Sequence, residues 1–356
     1  MNTTNLTLND LGYDEYFASG RIKLGYSKYS LARVLAEYRE AYRVTSGIKE
    51  HIAKITGKQI FTAFNREDYP AVGDWVAIDE LPDGKAVIRG ILPRKTILQK
   101  KYSNKQEIQL IATNIDTAFI VQSMDKDYSL NRFERYLVLI EAGKIEPVII
   151  LNKIDLINHT ELELRINQIK NRFKGIAIIS TSIIAEQGLN ELLSSILKGK
   201  TYCFLGSSGV GKSSLINKLL GKDEIKTREI SISLERGKHT TTNREMYFLE
   251  KGGLLIDNPG TREVGIACLD TAMENVFDEI SLISENCKFS DCSHINELGC
   301  AVLQAVNENI LDEDRYSNYI KLKKESEFYK MTDLEKREKD RKFGKFVKNA
   351  LKELKH

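Results

Sequence analysis

A glycine-rich segment at residues 206–213 has the residue types and the spacing needed to hold phosphate groups. It reads GSSGVGKS, which matches the pattern GxxxxGK[ST], and it follows the apolar run TYCFL, which predicts a strand. Glycines let backbone N–H groups turn inward around phosphate oxygens, while Lys212 reaches the β- and γ-oxygens and Ser213 offers its hydroxyl to Mg²⁺. The alternative is a glycine-rich connector without a ligand. The predicted phosphate-contacting residues are Gly206, Ser207, Ser208, Gly209, Val210, Gly211, Lys212, Ser213 and Ser214, and Lys212 is also assigned to catalysis.

A carboxylate on the metal side of the phosphates is expected at the end of a neighbouring strand. The segment GGLLIDNPG supplies Asp257 after an apolar run, and residues 257–260 fit the pattern DxxG. Asp257 is predicted to face Mg²⁺, and the N–H of Gly260 is predicted to contact the γ-phosphate. Asp-Asn-Pro-Gly is also an ordinary turn, but its position after a P-loop and an apolar strand favours a nucleotide site.

A third segment has the chemistry to select guanine. Residues 152–155 read NKID, which fits the pattern NKxD, directly after the apolar run PVIIL. A carboxylate at Asp155 accepts hydrogen bonds from N1–H and the 2-amino group of guanine, whereas adenine has no matching pair of donors. Asn152 and Lys153 would brace the site and cover the ring. A surface loop is the alternative, and weaker candidates for closing over the base are Ser180, Thr181 and Ser182.

Three cysteines and a histidine lie close together near residue 290. The pattern is Cys287-x4-Cys292-x-His294-x5-Cys300, which offers three thiolates and one imidazole. This is the ligand set of a closed, tetrahedral structural zinc site with no position left for a catalytic water. Three unrelated reduced cysteines are the alternative. The sequence therefore predicts one structural Zn²⁺ ion.

The segments around these motifs predict a chain of several domains. Residues 40–110 contain short apolar runs separated by turn signals, which indicates a small all-β barrel after an N-terminal segment, 1–39. Residues 111–270 alternate apolar runs with amphipathic stretches, which predicts an α/β domain with a parallel sheet. Residues 271–356 contain the cysteine cluster and a polar, lysine-rich end, which predicts a helical zinc-binding subdomain with a basic tail.

The order of the motifs is unusual, because NKxD at residue 152 precedes the P-loop at residue 206. In the usual GTP-binding fold the P-loop comes first. The same sheet can form when a chain is cut and rejoined elsewhere, since compact domains tolerate circular permutation. The segment after DxxG then leads straight into the C-terminal module, and we hypothesise that loss of the γ-phosphate moves that module.

The permuted order, GSSGVGKSSLIN, RGKHTTT, DNPGTRE and the cysteine cluster together resemble the circularly permuted bacterial GTPases that depend on the small ribosomal subunit. The resemblance extends from about residue 40 to about residue 330. It implies an N-terminal barrel of the oligonucleotide-binding (OB) type, a central P-loop GTPase domain and a C-terminal zinc subdomain. It also implies slow GTP hydrolysis to GDP, stimulated by the small (30S) subunit and coupled to its late maturation.

The segment between the P-loop helix and DxxG holds the predicted switch residues. In RGKHTTT, residues 236–242, Thr241 is the first choice for an added Mg²⁺ ligand and Thr240 the second; a polar loop is the alternative. Many GTPases place a glutamine after DxxG to orient water, but this chain has Thr261 there. By resemblance, His239 is the candidate that positions the water.

Charge and aromatic residues indicate an RNA partner. The net charge is only +3, yet residues 336–356 contain nine Lys/Arg against three Asp/Glu. The lysine-rich tail that begins at Arg315 and includes Tyr316, Tyr319, Phe343 and Phe346 is the predicted RNA contact, and a solvated helix is the alternative. Barrel residues with the same predicted role are Tyr69, Trp75, Arg94, Lys95, Lys100 and Lys101, although for Trp75 a place in the barrel core is preferred.

Composition and the resemblance set the remaining expectations. No apolar run approaches the roughly 20 residues of a membrane span, and the N-terminus lacks a signal-peptide pattern, so a cytoplasmic monomer is expected. The implied partner is the small ribosomal subunit with its 16S rRNA. Two alternatives remain open at this stage: a GTPase switch with a non-ribosomal protein partner, and an RNA-binding zinc protein that holds nucleotide without turnover.

Overall fold

The structure, a computed structural model, describes residues 6–101, 108–125, 128–221, 244–257, 270–332, 335 and 341. Within these ranges, no helix is both long enough and apolar enough to cross a membrane. The chain divides into two compact units, Met1–Lys100 with Glu107–Val264 and Lys101–Gln106 with Gly265–His356. The first unit contains the predicted barrel and α/β domain, and the second contains the cysteine cluster.

The first unit begins with a short helix and a barrel of five strands within the described residues. Its elements are α1 (Glu15–Lys23), β1 (Ser30–Glu37), β2 (Tyr42–Thr45), β3 (Glu50–Ile55), α2 (Gly57–Thr62), β4 (Trp75–Leu81) and β5 (Lys85–Ile91). The sheet closes on itself because β1 pairs with both β2 and β4, while β5 pairs with both β3 and β4. Its interior is filled by small and branched side chains such as Val34, Val44, Ala53, Val76, Ile78 and Ile88. The predicted all-β barrel is confirmed.

The first barrel strand, β1, begins at Ser30, upstream of residue 40, where the sequence placed the start of the barrel. Six consecutive residues of β1, Leu31 to Ala36, are buried. A strand covered on both faces lacks the alternation that marks a half-exposed strand. Trp75, which pairs with Arg33 in β1, is fully buried and its ring contacts Tyr13. It is therefore a core residue.

After the barrel, a two-stranded sheet of β6 (Ile97–Lys101) and β7 (Ile108–Thr113) leads into the α/β domain. The elements of that domain are β8 (Thr117–Ser123), α3 (Leu130–Ala142), β9 (Glu146–Asn152), α4 (His159–Arg172), β10 (Ala177–Thr181), α5 (Leu189–Ser195), β11 (Thr201–Leu205), α6 (Lys212–Leu220), β12 (Glu245–Phe248) and β13 (Leu254–Asp257). Strands alternate with helices, as the sequence predicts, and long crossovers of this kind join parallel strands.

The sheet of the α/β domain brings the separated motifs to one edge. Its strand order is β10-β9-β8-β11-β13-β12, and the first five strands are parallel. Parallel strands share one edge for their carboxyl ends, which is where ligands bind in open α/β sheets. NKxD follows β9, the P-loop follows β11 and DxxG begins at the end of β13. Motifs in permuted chain order therefore meet at the same edge.

The barrel and the α/β domain are joined within the first unit. The antiparallel strand β12 pairs with β13 on one side and with β1 on the other, through Ala36 and Glu245, so the barrel strands and the α/β strands form one continuous sheet of 11 strands, apart from β6 and β7. Arg33 strengthens the join from a fully buried position. Its guanidinium donates to the carbonyl oxygens of Leu11, Gly73 (3.2 Å) and Asn114 (3.1 Å) and to Oγ1 of Thr201 (2.8 Å).

The second unit is helical in its described part, as predicted. Its helices are α7 (Asp270–Val276), α8 (Asp278–Ser284), α9 (Ala301–Asn307) and α10 (Glu313–Lys330). Arg315 of α10 is buried. It donates a hydrogen bond to the carbonyl oxygen of Val276 at 3.0 Å and forms an ion pair with Glu279 at 2.6 Å, so it connects α10 to α7 and α8. The ring of Phe277 is fully buried and packs edge-on against Tyr319. Arg315 and Tyr319, which the sequence placed on an RNA-binding tail, are therefore engaged within the second unit. The cysteine cluster lies between α8 and α9 in the chain.

Candidate functional site

The P-loop turns directly from β11 into α6. Lys212 is the first residue of α6, and its ammonium donates to the carbonyl oxygens of Gly206 (2.8 Å) and Ser207 (2.6 Å). The side chain is therefore folded back over the loop in which phosphates would lie. Ser213 and Ser214 follow in the first turn of α6, where free backbone N–H groups and the helix dipole favour a negative charge.

Two glycines of the loop are needed for its close packing. Gly206 has φ of 147°, and a Cβ there would lie 2.3 Å from the carbonyl oxygen of Val121 in β8. Gly211 has φ of 98°, and a Cβ there would lie 2.3 Å from Nδ2 of Asn152. Both backbone conformations are ones that residues with a Cβ rarely adopt. The glycines at these positions thus allow the P-loop to pack against β8 and against the NKxD segment.

The NKxD segment is bonded to the P-loop by two side chains. Asn152 is 2% exposed and donates from Nδ2 to the carbonyl oxygen of Val210 at 2.8 Å. Lys153, at φ of 60°, donates from Nζ to the carbonyl oxygen of Gly209 at 2.7 Å. The Oδ1 of Asn152 accepts a hydrogen bond from Thr181 at 3.0 Å. The structure therefore brings together segments that lie far apart in the sequence.

Asp155 lies in a short turn after β9, next to the end of β10. Its Oδ1 accepts a hydrogen bond from the hydroxyl of Ser182. The same hydroxyl accepts from the backbone N–H of Ala185 at 3.0 Å, and Ser182 exchanges backbone bonds with Gln187. Ser180 and Thr181 are the last residues of β10 beside β9. Residues 180–182 thus lie beside the carboxylate that is assigned to the base.

One charged residue at this edge escaped the motif search. Asp125 follows β8, the strand between β9 and β11, and its Oδ2 lies 3.3 Å from Nζ of Lys153. Its Oδ1 accepts from the hydroxyl of Ser123 at 2.8 Å. Asp125 therefore holds the ammonium that also reaches the P-loop. The sequence offered one indication of this role, because Asp125 closely follows an apolar strand, but the residue belongs to none of the recognised motifs.

The metal side of the nucleotide site is described only in part. Asp257 is the last residue of β13, which is the parallel neighbour of β11. The other predicted residues here, Gly260 in DxxG and Thr240, Thr241 and His239 in the switch segment, lie outside the described residues, as does Thr261. Asp257 therefore ends the strand next to β11, and Ser213 lies in the first turn of α6, the helix that follows β11.

The ligand atoms of the cysteine cluster in the second unit lie close enough together to surround one metal ion. The ligand atoms of Cys287, Cys292, His294 and Cys300 all lie within 4.8 Å of one another. Nδ1 of His294 is 3.6 Å from Sγ of Cys287 and 3.5 Å from Sγ of Cys300, and these two sulfurs are 3.9 Å apart. Tetrahedral zinc with ordinary bond lengths requires S···N separations of about 3.6 Å and S···S separations of about 3.8 Å. The donor set therefore fits Zn²⁺.

The backbone around the cluster is shaped for these ligands. His294 has φ of 63°, and its carbonyl oxygen accepts a 2.6 Å hydrogen bond from the hydroxyl of Tyr316. Glu297 accepts from the hydroxyl and the N–H of Ser293, bonds that lower the pKa of its carboxyl group to about 2. Cys300 caps α9 by accepting from the N–H of Leu303. These contacts hold the segment between α8 and α9 that carries all four ligands.

The RNA contacts predicted for the barrel are mostly engaged within the protein. Arg94 is paired with Asp74 at 2.7 Å and is 11% exposed. Lys95 forms an ion pair with Asp14. Burial, followed by the nearby charge of Arg244, lowers the pKa of Lys100. The side chain of Lys101 and most of the basic tail, including residues 342–356, lie outside the described residues.

A P-loop, an NKxD segment bonded to it and a DxxG aspartate at one edge of a parallel sheet define a P-loop GTPase of permuted motif order. A model described as "RsgA GTPase" matches residues 91–267. The chain is 38% identical over 355 residues to "Small ribosomal subunit biogenesis GTPase RsgA 1" of Bacteroides thetaiotaomicron, covering 99% of both chains. The chain therefore belongs to the RsgA GTPase family.

Further comparisons agree with this assignment. "Small ribosomal subunit biogenesis GTPase RsgA 2" of Lactiplantibacillus plantarum is 38% identical, with 91% of each chain covered. The crystal structure of YjeQ from Thermotoga maritima is 27% identical, with a TM-score of 0.59 over 82% of this chain and 96% of that one. The crystal structure of YloQ, "a circularly permuted GTPase", is 25% identical, with a TM-score of 0.60 over 86% and 98%. The predicted family, fold class and GTPase class are confirmed.

Proposed function

We propose that this protein binds the small ribosomal subunit, hydrolyses GTP to GDP and phosphate there, and leaves the subunit after hydrolysis, which assists late maturation. The observation that carries the proposal is the pair of hydrogen bonds from Asn152 and Lys153 to the P-loop, because they join the segment that would select guanine to the segment that would hold the phosphates. The relatives' names connect this architecture to small-subunit biogenesis. No comparison supports the alternative of a non-ribosomal protein partner.

The nucleotide would be held by residues of three segments. Asp155 would accept from N1–H and the 2-amino group of guanine, with Ser182 fixing its orientation. Lys212 would release its two carbonyl contacts and bond the β- and γ-phosphates instead, since a phosphate is the stronger acceptor. Ser213, Thr241 and Asp257 would hold Mg²⁺, which neutralises charge that develops on the phosphate oxygens.

The attacking water needs a positioning residue. We assign this role to His239 from the family resemblance, since Thr261 occupies the position where many GTPases carry a glutamine. A neutral imidazole nitrogen accepts a hydrogen bond from the water molecule. This bond can orient a lone pair of the water oxygen toward the γ-phosphate. His239→Ala is expected to lose most subunit-stimulated turnover while binding GTP normally. Wild-type stimulated turnover in that variant would remove the assignment.

The cluster of Cys287, Cys292, His294 and Cys300 would hold one structural Zn²⁺ ion. All four positions of a tetrahedral ion are taken by protein atoms, so the ion would stabilise the fold of the second unit and take no part in hydrolysis. The second unit and its basic tail, together with the barrel, would contact 16S rRNA. The protein would work as a monomer in the cytoplasm.

The test measures phosphate release from GTP and from ATP, each with and without purified small ribosomal subunits. We expect slow turnover of GTP alone, a manyfold rise with subunits and no turnover of ATP. Lys212→Ala serves as the blank, because its loss removes the ammonium that contacts the phosphates. Turnover that is unchanged by subunits would leave a GTPase without a ribosomal role.

A further inference from the structure

Two phenylalanine rings stand almost free of the barrel. Phe61, in α2, is 90% exposed, and Phe64, just after α2, is 93% exposed. Ile60 beside them is 54% exposed. Burying a phenylalanine side chain stabilises a fold by about 1.5–3 kcal/mol, so these rings contribute little to the stability of the barrel. Their placement needs another explanation.

The backbone that carries the rings is well anchored. Thr56 and Gln59 form a capping box at the start of α2, in which the Gln59 N–H donates to Oγ1 of Thr56 at 3.2 Å and the Thr56 N–H donates to Oε1 of Gln59 at 2.8 Å. After the helix, one oxygen of Asp68 accepts from the backbone N–H groups of Phe64 (2.8 Å) and Asn65 (3.0 Å). The two rings are thus presented from a segment with fixed ends.

A second anchor ties this segment to the barrel wall. Arg94, which is paired with Asp74, donates to the carbonyl oxygens of Glu67 (2.8 Å) and Tyr69 (2.9 Å). Arg94 was expected from the sequence to contact RNA, but its bonds hold the segment that follows the exposed rings. A preorganised segment lowers the conformational entropy that binding must remove.

Cations lie on both sides of the two rings in the sequence, and the first carboxylates after the rings are Glu67 and Asp68. Residues 51–66 contain three cations, Lys54, Lys58 and Arg66, and no carboxylate. Lys54 and Lys58 are exposed, and neither has an ion-pair partner in the described part of the chain. Arg66 is 58% exposed and only 3.9 Å from Glu37 at its nearest approach. Exposed aromatic rings close in the chain to two unpaired lysines are typical of a nucleic-acid-binding surface.

We propose that Phe61 and Phe64 stack on unpaired bases of RNA while Lys54 and Lys58 contact the adjacent phosphates. The proposal rests on the proposed association with the small ribosomal subunit and gives the barrel a specific binding site for single-stranded nucleotides. An apolar pocket of a protein is the other class of partner for exposed phenylalanines. Lysines are depleted at the centres of protein interfaces, so the flanking cations favour RNA.

The site is separate from the nucleotide site. The rings lie on the segment between β3 and β4 of the barrel, whereas the P-loop follows β11 of the α/β domain. Substitutions at Phe61 and Phe64 should therefore leave guanine affinity and subunit-free turnover unchanged. They also leave the barrel folded, because the side chains are exposed, and thermal unfolding checks this directly.

The experiment compares four variants for binding to purified small ribosomal subunits in the presence of a non-hydrolysable GTP analogue. Phe61→Ala/Phe64→Ala should weaken binding about tenfold or more, since stacking is worth about 1–3 kcal/mol per base. Phe61→Trp/Phe64→Trp should keep wild-type affinity, because an indole also stacks. Phe61→Leu/Phe64→Leu should resemble the alanine variant, because leucine is apolar but has no ring. Ile22→Ala, at a residue that is 70% exposed on α1, is the matched control and should bind as the wild type does.

The pattern separates the competing explanations. Full binding by the leucine variant with loss in the alanine variant would show an apolar protein pocket and overturn the proposal. Wild-type binding by the alanine variant would also overturn it. If the wild-type protein itself shows no subunit-stimulated turnover, the proposed function fails, and the next measurement still tests the ring site.

That measurement uses the fluorescence of the variant Phe61→Trp, which has a new exposed tryptophan. The one natural tryptophan of the chain, Trp75, is fully buried. Protein-free 16S rRNA and a single-stranded oligoadenylate should each quench the new fluorescence, because the indole stacks on bases. The wild-type chain should show no matching change. Unchanged fluorescence of Phe61→Trp with both RNAs would exclude stacking at this position.

Discussion

The side-chain amide of Asn152 donates a 2.8 Å hydrogen bond to the carbonyl oxygen of Val210, which joins the NKxD segment to the P-loop. Thr181 completes the arrangement by donating to the other end of the same amide. Because Asn152 is 2% exposed, both partners would be left without a hydrogen bond if its side chain were removed. The shape of the P-loop thus depends on a residue that the chain supplies 58 positions earlier.

Asn152→Ala is expected to weaken GDP and GTP binding about tenfold to a hundredfold. The variant leaves the Val210 carbonyl oxygen and the Thr181 hydroxyl unpaired, at about 1–3 kcal/mol for each buried group. Titration with a fluorescent guanine nucleotide measures the loss. Asn167→Ala, at an exposed residue of α4, is the matched control and should bind normally. Normal affinity in Asn152→Ala would mean that the P-loop holds its shape without this bond.

The motifs were predictable because each is a short contiguous pattern next to an apolar run. Their convergence also follows from the sequence, since parallel strands share one edge for their carboxyl ends. The hydrogen bonds that join the motifs could not be predicted from the sequence. The partners of Asn152 and Lys153 are backbone carbonyl oxygens, which every residue has, so the residue type does not mark them. Asp125 was missed for a related reason: its partner Lys153 meets it only when β8 and β9 pair.

Asp155→Asn is expected to convert the preference for guanine into one for xanthine. Guanine presents N1–H and an amino group, which match two carboxylate oxygens, whereas xanthine presents N1–H and a carbonyl oxygen, which match an amide. GTP binding should weaken about a hundredfold or more, since each bond to the charged group is worth about 1.5–3 kcal/mol. Competition between GTP and XTP measures the change. Asp83→Asn, in the turn between β4 and β5, is the control and should bind GTP as the wild type does. Equal losses of GTP and XTP affinity in Asp155→Asn would contradict the role assigned to Asp155.

Arg33→Ala is expected to destabilise the first unit by at least about 3 kcal/mol. The guanidinium is buried and bonds four acceptors from the N-terminal segment, the barrel and the α/β domain, which alanine leaves unpaired. Burial lowers the pKa of Arg33 to about 10, so the group stays charged at neutral pH. Denaturant unfolding measures the change. Arg89→Ala is the control. It removes an exposed ion pair with Asp79 and should change the free energy of unfolding by less than about 1 kcal/mol.

Features that arise from tertiary contacts were harder to predict. An arginine in β1 is typical of an exposed strand position, yet Arg33 is fully buried because four carbonyl and hydroxyl oxygens surround it. Conversely, Phe61 and Phe64 belong to a segment whose apolar residues suggest a core, yet both rings are exposed. The burial of Arg33 is decided by partners that are distant in the chain, such as Asn114 and Thr201.

The barrel is expected to lose stability at high pH through Tyr42. Burial, with the charge of Glu37 adding to it, raises the pKa of Tyr42 to about 12, against about 10 in an unfolded chain. The stability from keeping this phenol neutral is complete below pH 10 and is lost as the pH rises toward 12. Ultraviolet titration of tyrosinate should show a late step that Tyr42→Phe reduces. Burial also raises the pKa of Tyr128 to about 12, so Tyr128→Phe should reduce the same late step, and a late step unchanged by both substitutions would contradict the assignment.

Cys292→Ser is expected to release the metal and unfold the second unit while leaving the nucleotide site intact. The four ligand atoms converge on one point, so removing one thiolate opens a site whose binding energy is part of the folding energy of this small helical unit. Atomic absorption should find one zinc per wild-type chain and almost none in the variant, and circular dichroism should show lost helix. Guanine-nucleotide affinity should stay at the wild-type value. Cys203→Ala, at a buried cysteine of β11 outside the cluster, is the control and should keep a full complement of zinc. Full zinc content in Cys292→Ser would show that this thiolate is not a ligand.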